Sequence, residues 1–130
     1  MAKTNSSKKA KGMRLETELA KRLRESGLDK GAYRMPASGA LETLKADILT
    51  NLPVSFECKN QEKWSVDKYM NQAKYGAKIN EIPVVVMSKN FQKEPYALLE
   101  LKDLIYLMQL AKEGGWLHEL QYSKRTQLGR

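Results

Sequence analysis

A chain of 130 residues carries one compact domain and not comfortably two. With 42% hydrophobic and 29% charged residues it can fold in water, which excludes wholesale disorder. Lys and Arg outnumber Asp and Glu by 23 to 15, a net charge of +8 that favours a polyanionic partner, although charge alone also serves solubility.

The first eleven residues hold Lys3, Lys8, Lys9 and Lys11 and no acid, and they read as a flexible basic arm. No apolar core follows them, so neither a secretory signal nor a membrane span is expected. One cysteine, Cys58, and one histidine, His118, supply neither a disulfide nor a zinc set; a reducing, cytoplasmic setting is expected.

The folded part is expected to begin near Gly12. From Met13 to Ser26, Leu15, Leu19, Ala20 and Leu23 recur at helical spacing, and Gly27 stands at the expected C-terminal cap. Residues 31–44 read as a loop after a short strand around Ala32–Met35. Strands are expected at Ala46–Thr50 and Val54–Asn60, joined as a hairpin through Asn51-Leu52-Pro53. A second helix carries Val66, Tyr69, Met70, Ala73 and Ala77, with Ser65 as N-cap. Pro83–Met87 reads as a buried strand and Tyr96–Leu101 as another. Asp103 is the expected cap of a third helix from Leu104 to about Glu113, whose apolar stripe is expected to be core. The order αβββαββα predicts an α/β domain over residues 12–115 with a mixed central sheet flanked by helices. Residues 116–130 keep Lys124, Arg125 and Arg130 and read as a basic tail.

Pairing across the expected hairpin sets Asp47 opposite Glu57, with Lys59 on the same face by the two-residue period. Opposed carboxylates repel, so the pair calls for a cation, and oxygen donors favour a hard ion such as Mg²⁺ or Mn²⁺. The competing reading is an exposed hairpin face on which Lys59 offsets two solvated acids. On the first helix, with Leu15 at zero, Glu16 falls at about 100°, inside the apolar stripe. An acid on a packing face needs a partner, which directs Glu16 toward the Asp47/Glu57 cluster; an edge residue snorkelling to water is the alternative. Cys58 alternates onto the opposite face and reads as core. Trp64, Tyr69, Tyr75 and Trp116 are expected to pack and not to stack on bases.

The succession Glu16, Asp47, Glu57-Cys58-Lys59 resembles the PD-(D/E)XK nuclease motif. Gly12-Met13-Arg14-Leu15-Glu16-Thr17-Glu18-Leu19 and the loop Arg34-Met35-Pro36-Ala37-Ser38-Gly39 are similar to archaeal-type Holliday-junction resolvases. The likeness covers residues 11–87; Lys45-Ala46-Asp47 stands in place of the Pro-Asp of the wider superfamily, and the loop before Asp47 is longer. The resemblance implies a restriction-endonuclease-like fold and a homodimer that nicks four-way DNA junctions symmetrically. It further implies Mg²⁺, with Mn²⁺ able to substitute, held by Asp47, Glu57 and the main-chain carbonyl of Cys58, with Glu16 completing the site and Lys59 acting on the attacking water. Lys8, Lys9, Lys11, Arg14, Arg34, Ser38 and Gln61 are the expected DNA contacts. A nickase or restriction-type nuclease on linear DNA, and a non-catalytic basic DNA-binding protein, are the alternatives.

Overall fold

The computed structural model describes residues 5–35, 46–90 and 92–115. The chain divides into two units, Met1–Leu99 and Glu100–Arg130. In the first unit the elements are α1 (Asn5–Glu25), β1 (Tyr33–Arg34), β2 (Ile48–Leu49), β3 (Val54–Asn60), α2 (Val66–Gly76), β4 (Ile82–Ser88) and β5 (Tyr96–Leu98). The second contains α3 (Leu101–Glu113). The predicted order αβββαββα is the observed one.

Val84, Val85, Val86 and Met87 are all buried, which a strand covered on both faces requires. β3 pairs with β4 in parallel, Phe56 beside Val84 and Cys58 beside Val86, and β5 pairs antiparallel to β4. The two-residue alternation divides the core. Phe56, Cys58, Val84 and Val86 pack with Leu15, Ala20 and Leu23 of α1, whereas Val85 and Met87 pack with Tyr69 and Ala73 of α2. A mixed sheet thus lies between two helices, the α/β restriction-endonuclease-like arrangement expected from the sequence.

The sequence expectations need correction in several places. α1 starts at Asn5, so residues 5–11 of the expected arm are helical. Lys11 is 5% exposed, its ammonium lies 3.7 Å from Glu62, and its carbonyl accepts from Asn60 Nδ2 at 3.3 Å, contacts that tie this turn to the end of β3. Gly27 does end the helix, at φ +81°, the left-handed conformation that glycine tolerates.

The expected hairpin ladder between the second and third strands is absent. The two residues of β2 pair antiparallel with β1, Tyr33 beside Leu49 and Arg34 beside Ile48. The turn after β2 is held from elsewhere: Asp29 accepts the Thr50 hydroxyl at 2.7 Å and the Asn51 N–H at 2.8 Å. Ser65 stands at the N-cap of α2 but its side chain makes no capping bond. β5 ends at Leu98, and α3 begins at Leu101 with Glu100, not Asp103, at the N-cap. None of the α3 residues is buried, against the expectation of a core stripe.

Candidate active site

β3 places the central residues. Its α1-facing positions include Phe56 and Cys58, and its opposite positions carry Glu57 and Lys59. Cys58 is inside the core, where burial pushes its thiol well above the ordinary range, so it is no nucleophile. The Lys59 ammonium lies 3.5 Å from Glu57 Oε1. Both side chains are 18% exposed, sheltered yet open to a substrate.

Asp47 bridges the gap that the missing hairpin leaves. Its N–H donates to the Phe56 carbonyl at 3.0 Å, and its carbonyl accepts from the Met35 N–H at 2.8 Å. Its carboxylate Oδ2 accepts the Cys58 N–H at 2.7 Å. A side chain thus takes up a β3 donor that a neighbouring strand would otherwise satisfy. The proximity of residues 47 and 57 expected from a hairpin is therefore obtained without one.

Glu16 joins from α1, 14% exposed, with Oε2 3.7 Å from Arg34 Nη1. Desolvation pushes its carboxyl up to about 7; the negative field of Asp47 and then Glu57 adds to this, and Arg34 opposes it. Desolvation followed by repulsion from Asp47 pushes Glu57 up to about 7 as well, with Lys59 opposing. Asp47 is also raised by burial, against the Cys58 N–H and Lys59. Three carboxyl groups within electrostatic reach of one another, each resisting ionisation, create a demand for positive charge. Among the described residues no set of three His, Cys, Asp or Glu side chains forms a closed metal cage. A hard cation that keeps several waters needs only one or two carboxylates plus substrate phosphate oxygens, and this donor set fits such an ion.

Tyr69 was not singled out as a site residue by the sequence. It is 2% exposed, and Lys59 Nζ lies 5.4 Å from its ring centroid, within cation–π range. The Tyr69 hydroxyl donates to Gln61 Oε1 at 2.7 Å, with the Lys63 carbonyl 3.2 Å away. Tyr69 thereby supports the ammonium from below. Its place in an apolar helical pattern concealed this, because contact with Lys59 depends on how α2 packs on β3.

The expected DNA contacts divide. Arg14 is exposed, Arg34 is paired to Glu16, Gln61 receives the Tyr69 hydroxyl, and Lys11 is buried beside Glu62. Lys8 and Lys9 belong to α1, but their side chains, like Ser38 and His118, lie outside the described residues. Trp64 packs as expected, its indole N–H 3.3 Å from the Ser88 carbonyl and its ring edge-to-face with Tyr96. Tyr75 does not pack: it is 81% exposed. A cavity of about 420 Å³ opens between Lys11, Lys59, Asn60 and Lys63, and a groove of about 680 Å³ runs from Glu57 along α2.

A mixed sheet between helices, with an acid from the first helix, an acid before β3 and a Glu-x-Lys on that strand, defines a nuclease of the PD-(D/E)XK superfamily. A family model described as "Phage putative PDDEXK endonuclease" matches residues 7–126, and the chain belongs to that family. Searches of curated proteins and of solved structures gave no match.

Proposed function

We propose that this chain is a metal-dependent, structure-selective endodeoxyribonuclease that nicks branched DNA, four-way junctions foremost, and works as a homodimer. The observation that carries the catalytic part is the convergence of Glu16, Asp47, Glu57 and Lys59 from three separate segments. Asp47 and Glu57, with the Cys58 carbonyl, are the proposed holders of Mg²⁺, for which Mn²⁺ substitutes, and Glu16 completes the set. When bound, the cation supplies Lewis-acid stabilisation of charge on the phosphoryl oxygens.

The chain's own groups do the rest. The Lys59 ammonium, kept in place by Glu57 and the Tyr69 ring, orients a water for in-line attack and stabilises negative charge developing on the phosphate. Arg34 neutralises part of the carboxylate cluster before DNA arrives. The resemblance to junction resolvases implies a 5′-phosphate and a 3′-hydroxyl at each nick. The junction preference is supported by the likeness of the Gly12–Leu19 and Arg34–Gly39 segments to junction resolvases, and by the net charge of +8, which suits backbone recognition. Two nicks on a two-fold substrate need two sites, which a symmetric dimer provides.

A nickase or general endonuclease on linear DNA is the second reading, favoured by the family description, which specifies an endonuclease and no branched substrate. A labelled four-way junction beside a linear duplex of the same arms decides between them, with Mg²⁺ or EDTA and with Glu57→Ala as control. Paired nicks confined to the junction, abolished by EDTA and by the substitution, are the expected result. Equal cutting of the duplex establishes the second reading; binding without cutting in Mg²⁺, or in Mn²⁺ in its place, overturns both in favour of a non-catalytic DNA-binding protein.

A further inference from the structure

We infer that the outward stripe of α2 beside Glu57 holds the DNA strand next to the cut, and that Tyr75 stacks on a base exposed at a branch point. The inference rests on the nuclease reading above and adds to it the element that selects branched over intact DNA.

Lys68, Asn71, Gln72 and Tyr75 occupy positions i, i+3, i+4 and i+7 of α2 and so form one stripe. The same four side chains line the groove of about 680 Å³ in which Glu57 is the remaining wall. The stripe therefore leads directly to the candidate catalytic carboxylate. Its chemistry suits a nucleic acid backbone, with an ammonium for phosphate and two amides for phosphate and sugar oxygens. The one acid of α2, Asp67, stands outside the groove lining.

Among the described residues Tyr75 has no packing role. The opposite face of α2, with Tyr69 and Ala73 each 2% exposed, makes the contact with the sheet, whereas Tyr75 is 81% exposed. A large ring presented to water at the rim of a polar groove is a stacking platform for a base. Inside a continuous duplex both faces of each base are already covered by neighbours, so such a ring gains little there. At a branch point, stacking is interrupted and a base face becomes available. A tyrosine in this position thus discriminates by the state of the base and not by its identity, as aromatic platforms on single strands do.

The test uses the full chain, a four-way junction carrying 2-aminopurine beside the branch point, and a linear duplex of the same arms, with binding measured in EDTA and cleavage in Mg²⁺. Tyr75→Ala should weaken junction binding by about tenfold or more, the scale of losing one base–aromatic stack, and change duplex binding little. It should also abolish the change in 2-aminopurine fluorescence, and Tyr75→Trp should restore both. Because the ring is exposed, circular dichroism of the variants should match the parent. Unchanged junction affinity in Tyr75→Ala, or an equal loss on junction and duplex, overturns the inference. If the parent cuts DNA and Tyr75→Ala is neutral, the inference alone fails; if the parent neither binds nor cuts DNA, the nuclease reading fails with it.

Discussion

The Asp47 carboxylate accepts the Cys58 N–H at 2.7 Å, so one side chain both closes the edge of β3 and brings its charge beside Glu57. Structure and proposed chemistry meet in this bond, and the two can be separated by substitution. Asp47→Asn retains an oxygen that can accept the N–H and loses the charge; it should stay folded and lose cleavage by about a hundredfold or more, on the scale of losing a preorganised electrostatic group. Asp47→Ala leaves a buried donor without a partner and should be less stable than Asp47→Asn by about 1–3 kcal/mol. Urea unfolding with a cleavage assay on both variants checks the pair; cleavage by Asp47→Asn at the parent rate removes Asp47 from the site.

The carboxylate cluster makes stability depend on pH. In the folded chain Glu16 and Glu57 hold their protons to about 7, against an ordinary 4.5. Between those values the folded state binds more protons at these two groups than the unfolded one, so the stability they contribute is greatest below about pH 4.5 and is lost as pH rises through about 7. Thermal melts in EDTA should show this decline, and Glu57→Gln should flatten it. Added Mg²⁺ or Mn²⁺ should raise the melting temperature most above pH 7, where the carboxylates are ionised; a cation effect equal at pH 5 and pH 8 speaks against these groups as its ligands.

Lys59 and Tyr69 should differ in kinetic signature. Lys59→Met removes the charge proposed to act on the phosphate and should lower kcat by about 10²–10³-fold with DNA affinity changed far less. Tyr69→Phe keeps the ring beneath the ammonium and removes only the hydroxyl with its contacts to Gln61 Oε1 and the Lys63 carbonyl, for a stability loss of about 0.5–1.5 kcal/mol and a small change in kcat. Single-turnover cleavage separates the two, and comparable kcat losses in both variants contradict a supporting role for Tyr69.

Asp29 anchors the turns that position Asp47. It accepts bonds from the Gly31 N–H, the Thr50 hydroxyl and the Asn51 N–H, which hold its carboxyl below the ordinary range. Asp29→Ala should lower the melting temperature at neutral pH, and that difference should shrink as pH falls and the parent carboxylate is protonated. By contrast, Arg22 and Glu94 pair with both side chains largely exposed, so Glu94→Gln should change stability by no more than about 1 kcal/mol. A larger effect at Glu94 than at Asp29 reverses this ranking.

The sequence alone determined the element order, the core residues of α1 and β3, and the four residues of the candidate site. The core follows from local periodicity: Leu15, Leu19 and Leu23 repeat at the helical period, while Phe56 and Cys58 alternate with Glu57 and Lys59; Glu16 and Asp47 joined the candidate site through the resemblance of Glu16, Asp47 and Glu57-Cys58-Lys59 to the nuclease motif. What periodicity does not encode is which strand lies beside which. β2 turned to β1, and Asp47 reached β3 through one backbone bond and its side chain. The same limit concealed the support of Lys59 by Tyr69 and the exposure of Tyr75. Both depend on the rotation of α2 against the sheet, which buries Tyr69 and turns Tyr75 outward although each is an aromatic residue in the same helix. Only the packing of α2 on β3 and β4 made one a support for Lys59 and left the other free to meet a substrate.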